Sequence, residues 1–81
     1  MKSISIKLYK ILRSIGLEKT QINLFRIFNE ELKLDQFDRI CYITGLENSF
    51  NISIPDKDLP RLMHIENTIE YLYKMTREFG G

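Results

Sequence analysis

Residues 31–58 read ELKLDQFDRICYITGLENSFNISIPDKD, and the fold is decided there. Asp35 stands just ahead of an apolar-periodic run, where its carboxylate can accept from the unpaired N–H groups of a first helical turn. Asp38, three positions on, adds negative charge beside the positive end of the helix dipole. Tyr42, Ile43, Leu46 and Phe50 then recur at i, i+1, i+4 and i+8, one face of a helix. Phe37, Ile40 and Thr44 form a second apolar stripe on another face. One greasy face suffices to join a core; a second is buried by another helix or held for a partner. The helix is expected to stop at Ser49-Phe50-Asn51, and Ile54-Pro55-Asp56 to open a short new element.

Upstream, Ile4, Leu8, Ile11, Leu12 and Ile15 predict a helix over 3–15 with Ser3 as its N-cap. Gly16-Leu17 reads as a left-handed C-cap followed by its hydrophobic contact. Lys7, Lys10, Arg13 and Ser14 occupy the other face. Such a face could meet nucleic acid or an anionic membrane, but a solvated face of the first helix explains it more simply, because no aromatic residues interleave with the charge. Between Glu18 and Leu34, the residues Ile22, Leu24, Phe25, Ile27 and Phe28 are too apolar for a plain linker, and a short helix is expected across 21–29.

Downstream, Pro55 suits a helix start, having no N–H to leave unpaired and a φ already fixed. Residues 56–62 are expected to form a short third helix that Pro60 keeps irregular. Ile65, Ile69, Leu72 and Thr76 then make one stripe, with Thr68, Tyr71 and Met75 beside it. His64 falls near the N-cap of this last helix, a capping or exposed role rather than a ligand role. Phe79 is expected to end the packed chain, with Gly80-Gly81 as a tail. A terminal Gly-Gly also marks ubiquitin-like modifiers, but their alternating strands have no counterpart here.

Composition narrows the class. Eighty-one residues, 43% of them hydrophobic, bound the chain to one domain over 1–81 with a modest core. No apolar run approaches the ~20 residues of a membrane span, and no long apolar segment suggests a secretory signal. Cys41 is the single cysteine, which excludes an internal disulfide and fits a reducing cytoplasm. One histidine and one cysteine are too few for a metal site of that type. The adjacent Glu30-Glu31 pair diverges, nothing nucleophilic sits beside a base, and no enzymatic activity is expected.

The central stretch resembles the acyl carrier protein family. That pattern has a loop ending in D-S-L, a long helix closing near an acidic-acidic-x-F segment, and an I-x-I-P-D turn into a short helix. Asp35, Phe37 (for Leu), Asp38, Leu46, Glu47, Phe50, Ile52, Ile54, Pro55 and Asp56 match it, and Phe28-x-Glu30-Glu31-Leu32 matches an upstream F-x-E-D-L. The register runs without a gap from about Phe28 onward, and more loosely through the first helix. The resemblance implies an all-α, right-turning four-helix bundle with a long first loop and a short third helix. It also implies fatty-acid, polyketide or related biosynthetic partners.

Two positions depart from the pattern. Carriers have a serine after the Asp, whose hydroxyl takes 4′-phosphopantetheine through a phosphodiester; here Gln36 stands in its place. A primary amide is no oxygen nucleophile toward activated pantetheine, so no such arm and no other cofactor are expected. Lys33 stands where the family usually has glycine. If that position needs positive φ, lysine costs about 1 kcal/mol; otherwise the loop takes a different path.

Charge departs too. Residues 1–20 hold five basic and one acidic residue, residues 35–58 five acidic and two basic, and the whole chain nets +1. The family's acidic surface is therefore largely missing, and electrostatic steering toward basic enzymes should be weak. What remains is a carrier-like, non-enzymatic interaction module that docks through Phe37, Arg39, Ile40 and Thr44 on the long helix. Self-association through the same stripe is a further expectation, while nucleic acid and membranes are not expected partners. The alternatives are a carrier that has lost only its serine, a helical nucleic-acid binder using Lys7, Lys10 and Arg13, and a non-covalent host for an apolar ligand.

Overall fold

A computed structural model describes residues 2–80, with side-chain surroundings over 3–76. The helices are α1 (Lys2–Ser14), α2 (Lys19–Ile27), α3 (Gln36–Phe50), a 3₁₀ helix (Asp56–Met63) and α4 (Ile65–Gly80). No strand occurs among the described residues, and the architecture is the all-helical bundle expected from the sequence. α1 packs against both α3 and α4, α2 lies against α1 and α4, and the 3₁₀ helix packs on α4.

The stripes read from the sequence build the core. Leu8, Leu12, Tyr42, Leu46, Leu62, Thr68 and Leu72 are fully buried, with Ile4, Ile11, Ile65 and Ile69 around them. α1 and α3 approach closely at Gly45, where a Cβ would lie 3.1 Å from Cγ2 of Ile11. Tyr42 sits at the centre, its hydroxyl donating to the Leu62 carbonyl at 2.9 Å and lying 3.1 Å from Thr68 Oγ1. Thr68 Oγ1 also reaches the carbonyls of Leu62 and His64, each at 2.9 Å. A buried phenol without partners would be costly; here every buried side-chain polar atom among the described residues is paired.

Three helices end in left-handed residues. At Gly16 (φ +104°), Gly16 N–H donates to Arg13 and Leu17 N–H to Leu12, the expected C-cap with its contact. Asn29 and Asn51, at φ 49° and 54°, close α2 and α3 in the same sense, Asn being tolerant of that region. Lys33 is not among the residues with positive φ. Leu32 and Leu34 are buried and Lys33 is exposed between them, an extended alternation that lysine adopts without strain. The ~1 kcal/mol strain of a positive φ therefore does not arise at Lys33.

Several details differ from expectation. α1 has begun by Lys2, so Ser3 lies inside the helix and is no N-cap. α2 covers 19–27 rather than 21–29, starting early because Gln21 Oε1 accepts from the Glu18 N–H at 2.8 Å. The third helix is 3₁₀ throughout and reaches Met63, consistent with Pro60 removing one backbone donor. α4 continues to Gly80, a residue the sequence places in a tail; the Phe79 side chain and Gly81 lie outside the described residues. In α2 only Ile22 is buried, while Leu24, Ile27 and the C-cap Phe28 are exposed at 53%, 72% and 66%. Helical spacing gives which residues share a face; contact with α1 and α4 decides which face is covered.

Burial holds the Tyr42 phenol well above the ordinary tyrosine range, partly offset by its bond to Thr68. The unfolded chain ionises near pH 10, so above that it releases a proton the folded chain retains, and stability falls as pH rises toward the folded value. We expect Tyr42→Phe to cost about 1 kcal/mol at neutral pH, since Thr68 keeps its carbonyl partners, and to raise the midpoint of alkaline unfolding. Circular dichroism across a denaturant series at neutral and alkaline pH measures both; an alkaline midpoint lower than the parent's contradicts the assignment.

Candidate functional site

The residues singled out in the sequence gather at the head and outer face of α3. Asp35 is its N-cap, with Oδ1 accepting from the Asp38 N–H at 2.7 Å, and Asp38 adds charge to the first turn. Gln36 is the first helical residue and is exposed. The position is held where a reacting side chain would need to be, at an open helix N-terminus, but the side chain offers a carboxamide. It does not fit a phosphodiester attachment. Ser49 is thirteen positions along the same helix, about 20 Å away at 1.5 Å per residue, and Ser53 lies beyond it.

Phe37 and Ile40 are exposed at 72% and 59%, and Arg39 and Thr44 are exposed beside them. Arg39, Ile40 and Thr44 line an open groove of about 290 Å³ whose floor and far wall include Ile43, Ile54 and Leu59. Phe37 is not part of this lining; it stands one turn nearer the N-terminus. The groove is apolar at its base with Arg39, Glu47 and Asp56 around it, so its charge is mixed rather than uniformly acidic. Sequence reading missed the wall formed by Ile54, Asp56 and Leu59, because a groove between two helices depends on how the chain after Asn51 folds back. Glu47 directs that return: its Oε2 accepts from the Ile54 N–H at 2.8 Å.

Other candidates fall elsewhere. His64 occupies the N-cap position of α4, its carbonyl accepting from Thr68, and its Nδ1 lies 3.1 Å from the Asn29 carbonyl. Lys7 Nζ stands 5.3 Å from the centre of the Phe50 ring, and Arg13 lies 4.0 Å from Glu18. Both therefore stand beside intramolecular partners.

The chain is 35% identical over 69 residues to acyl carrier proteins of Chlorobium phaeobacteroides, Chlorobium phaeovibrioides and Chlorobium luteolum, which covers 84% of this chain and 88% of each relative. It belongs to the acyl carrier protein family. No family model matches the chain, and no solved structure matches it.

The exposed side chains of α3 should be separable from its core. Phe37→Ala with Ile40→Ala is expected to change stability by within about 0.5 kcal/mol, as for surface positions. Leu46→Ala, fully buried, is expected to cost ~2–5 kcal/mol by opening a cavity. Thermal and urea unfolding of the two variants checks this; unfolding of the double variant would make the stripe part of the core.

Proposed function

We propose that this chain is a carrier-like interaction module, without enzymatic activity and without 4′-phosphopantetheine, that docks through α3 onto a protein of an acyl-transfer or related biosynthetic system in the cytoplasm. The observation that carries the reading is Gln36 at the head of an otherwise well-formed α3, beside exposed Phe37 and Ile40. A carboxamide cannot supply the attacking oxygen, so the attachment chemistry is lost while the scaffold and its apolar surface remain. Exposed Phe and Ile contribute nothing to a monomer in water, whereas burying them in an interface stabilises a complex by ~1.5–3 kcal/mol each.

Partner recognition is then apolar first. Phe37 and Ile40 supply the anchors, Arg39 and Thr44 the polar edge, and the groove between α3 and the 3₁₀ helix takes an apolar side chain of the partner. The mixed charge of Arg39, Glu47 and Asp56 favours a partner surface that is not strongly basic. The partner contributes a protein surface, and the second copy of this chain is the alternative occupant.

Two measurements test the reading. Incubation with coenzyme A and a promiscuous phosphopantetheinyl transferase should leave the intact mass unchanged, whereas Gln36→Ser should gain one phosphopantetheine at that serine. A gain on the parent chain overturns the loss of attachment, and a Gln36→Ser variant that stays unmodified shows that this chain's surface for the modifying enzyme has diverged as well. Phe37→Ala with Ile40→Ala should abolish capture of a biosynthetic partner, or self-association in sedimentation experiments; retention of every association by this variant would remove α3 as the docking surface.

A further inference from the structure

Charge divides this chain into two parts, and the positive part carries an exposed apolar surface that docking through α3 does not use. Residues 1–27 hold six basic and one acidic residue, net +5, while residues 28–81 hold six basic and ten acidic, net −4. The positive part is α1 with α2. On α2, Leu24, Ile27 and Phe28 stand at i, i+3 and i+4 and are exposed at half or more of their surface. On α1, half-exposed Ile6 joins Ser5, Tyr9 and Lys10 around a shallow, almost wholly apolar depression of about 360 Å³. Tyr9 also lines a small cavity of about 80 Å³ with Ile22, Asn23 and Arg26, so the depression on α1 borders α2.

We propose that the α1–α2 corner is a docking surface for an anionic lipid bilayer. Leu24, Ile27 and Phe28 enter the boundary between headgroups and acyl chains, and Lys10 and Lys19 meet the anionic headgroups. A cationic surface with projecting aliphatic and aromatic side chains is the composition that binds such an interface, burial of apolar area adding to attraction by the negative surface. The net +5 of residues 1–27, against −4 for the rest, favours approach of α1 and α2 to a negative surface. Contact is superficial, since among the described residues no helix is long and apolar enough to cross a membrane.

Other occupants fit less well. A nucleic acid would neutralise the lysines but leave Leu24 and Ile27 in water. A second copy related by a twofold axis would set two positive corners against each other. Arg26 is held by Glu66, Nε to Oε1 at 2.7 Å, and Lys7 stands by the Phe50 ring, while Lys10 and Lys19 are exposed.

The test is co-sedimentation of the whole chain with vesicles of phosphatidylcholine, with and without phosphatidylglycerol, at low and physiological salt. Binding to the anionic vesicles should exceed binding to the neutral ones by about tenfold or more and should weaken with salt. Lys10→Glu with Lys19→Glu lowers the net charge of residues 1–27 from +5 to +1 and should abolish the preference. Both positions are exposed, and Lys19→Glu puts an acidic residue in the first turn of α2, where the dipole favours it; circular dichroism checks that the variant stays folded. Leu24→Ser with Phe28→Ser should lose about tenfold in binding at either salt, while Phe37→Ala with Ile40→Ala should bind vesicles like the parent. Equal binding to both kinds of vesicle, or none, overturns the proposal. So does an apolar variant that binds like the parent, or a stronger association with a single-stranded oligonucleotide that survives loss of Leu24 and Phe28.

Discussion

The fold depends on one buried polar junction. Tyr42 of α3 is fully buried, and its hydroxyl shares the Leu62 carbonyl with Thr68, which in turn reaches back to His64. The junction joins the middle of α3, the end of the 3₁₀ helix and the first turn of α4. A phenol in an apolar core is tolerated only when its hydrogen bond is made, and that requirement fixes the relative placement of three elements more tightly than aliphatic packing alone. The aromatic ring, fully buried, is packed among the protein's own side chains.

Around that junction, single polar contacts set the connecting segments. The Leu32 N–H donates to the Met63 carbonyl at 2.6 Å, drawing the loop before α3 onto the end of the 3₁₀ helix. Glu47 does the same for the segment after α3 through Ile54. Tyr71 donates to Asp58 Oδ2 at 2.9 Å, holding the 3₁₀ helix against α4, and Arg61 lies over the same ring. With both ends of α3 held in this way, its capped N-terminus presents Gln36 to solvent. The scaffold that positions an attachment residue is therefore separable from the chemistry of the residue itself.

The two exposed apolar surfaces lie on different helices with different electrostatic surroundings. The α3 stripe sits among mixed charges, whereas Leu24 and Ile27 of α2 belong to the part of the chain carrying net +5, with Phe28 directly after it. Surfaces of unlike charge select unlike partners, so a protein partner on α3 and an anionic surface at the α1–α2 corner would not compete for the same side chains.

Local chemistry was legible in the sequence wherever it acts over a few residues. Asp35 capping α3, Gly16 ending α1, Pro60 keeping the third helix short and the Tyr42–Leu46 stripe facing inward all follow from φ, donors or helical period, which are properties of neighbouring residues. Gln36 in place of a hydroxyl was likewise visible at once, because nucleophilicity belongs to the side chain. Tertiary structure alone decided the rest. The spacing of Leu24, Ile27 and Phe28 looks the same whether they are buried or not; the way α2 lies on α1 and α4 leaves them outside, with Arg26 tied to Glu66 forty residues away. The pairing of Tyr42 with Thr68, the extended path through Lys33 and the groove wall of Ile54 and Leu59 all join segments distant in sequence. Residue pattern sets which side chains travel together on a face, but burial is a relation between faces, and it exists only once the chain has closed on itself.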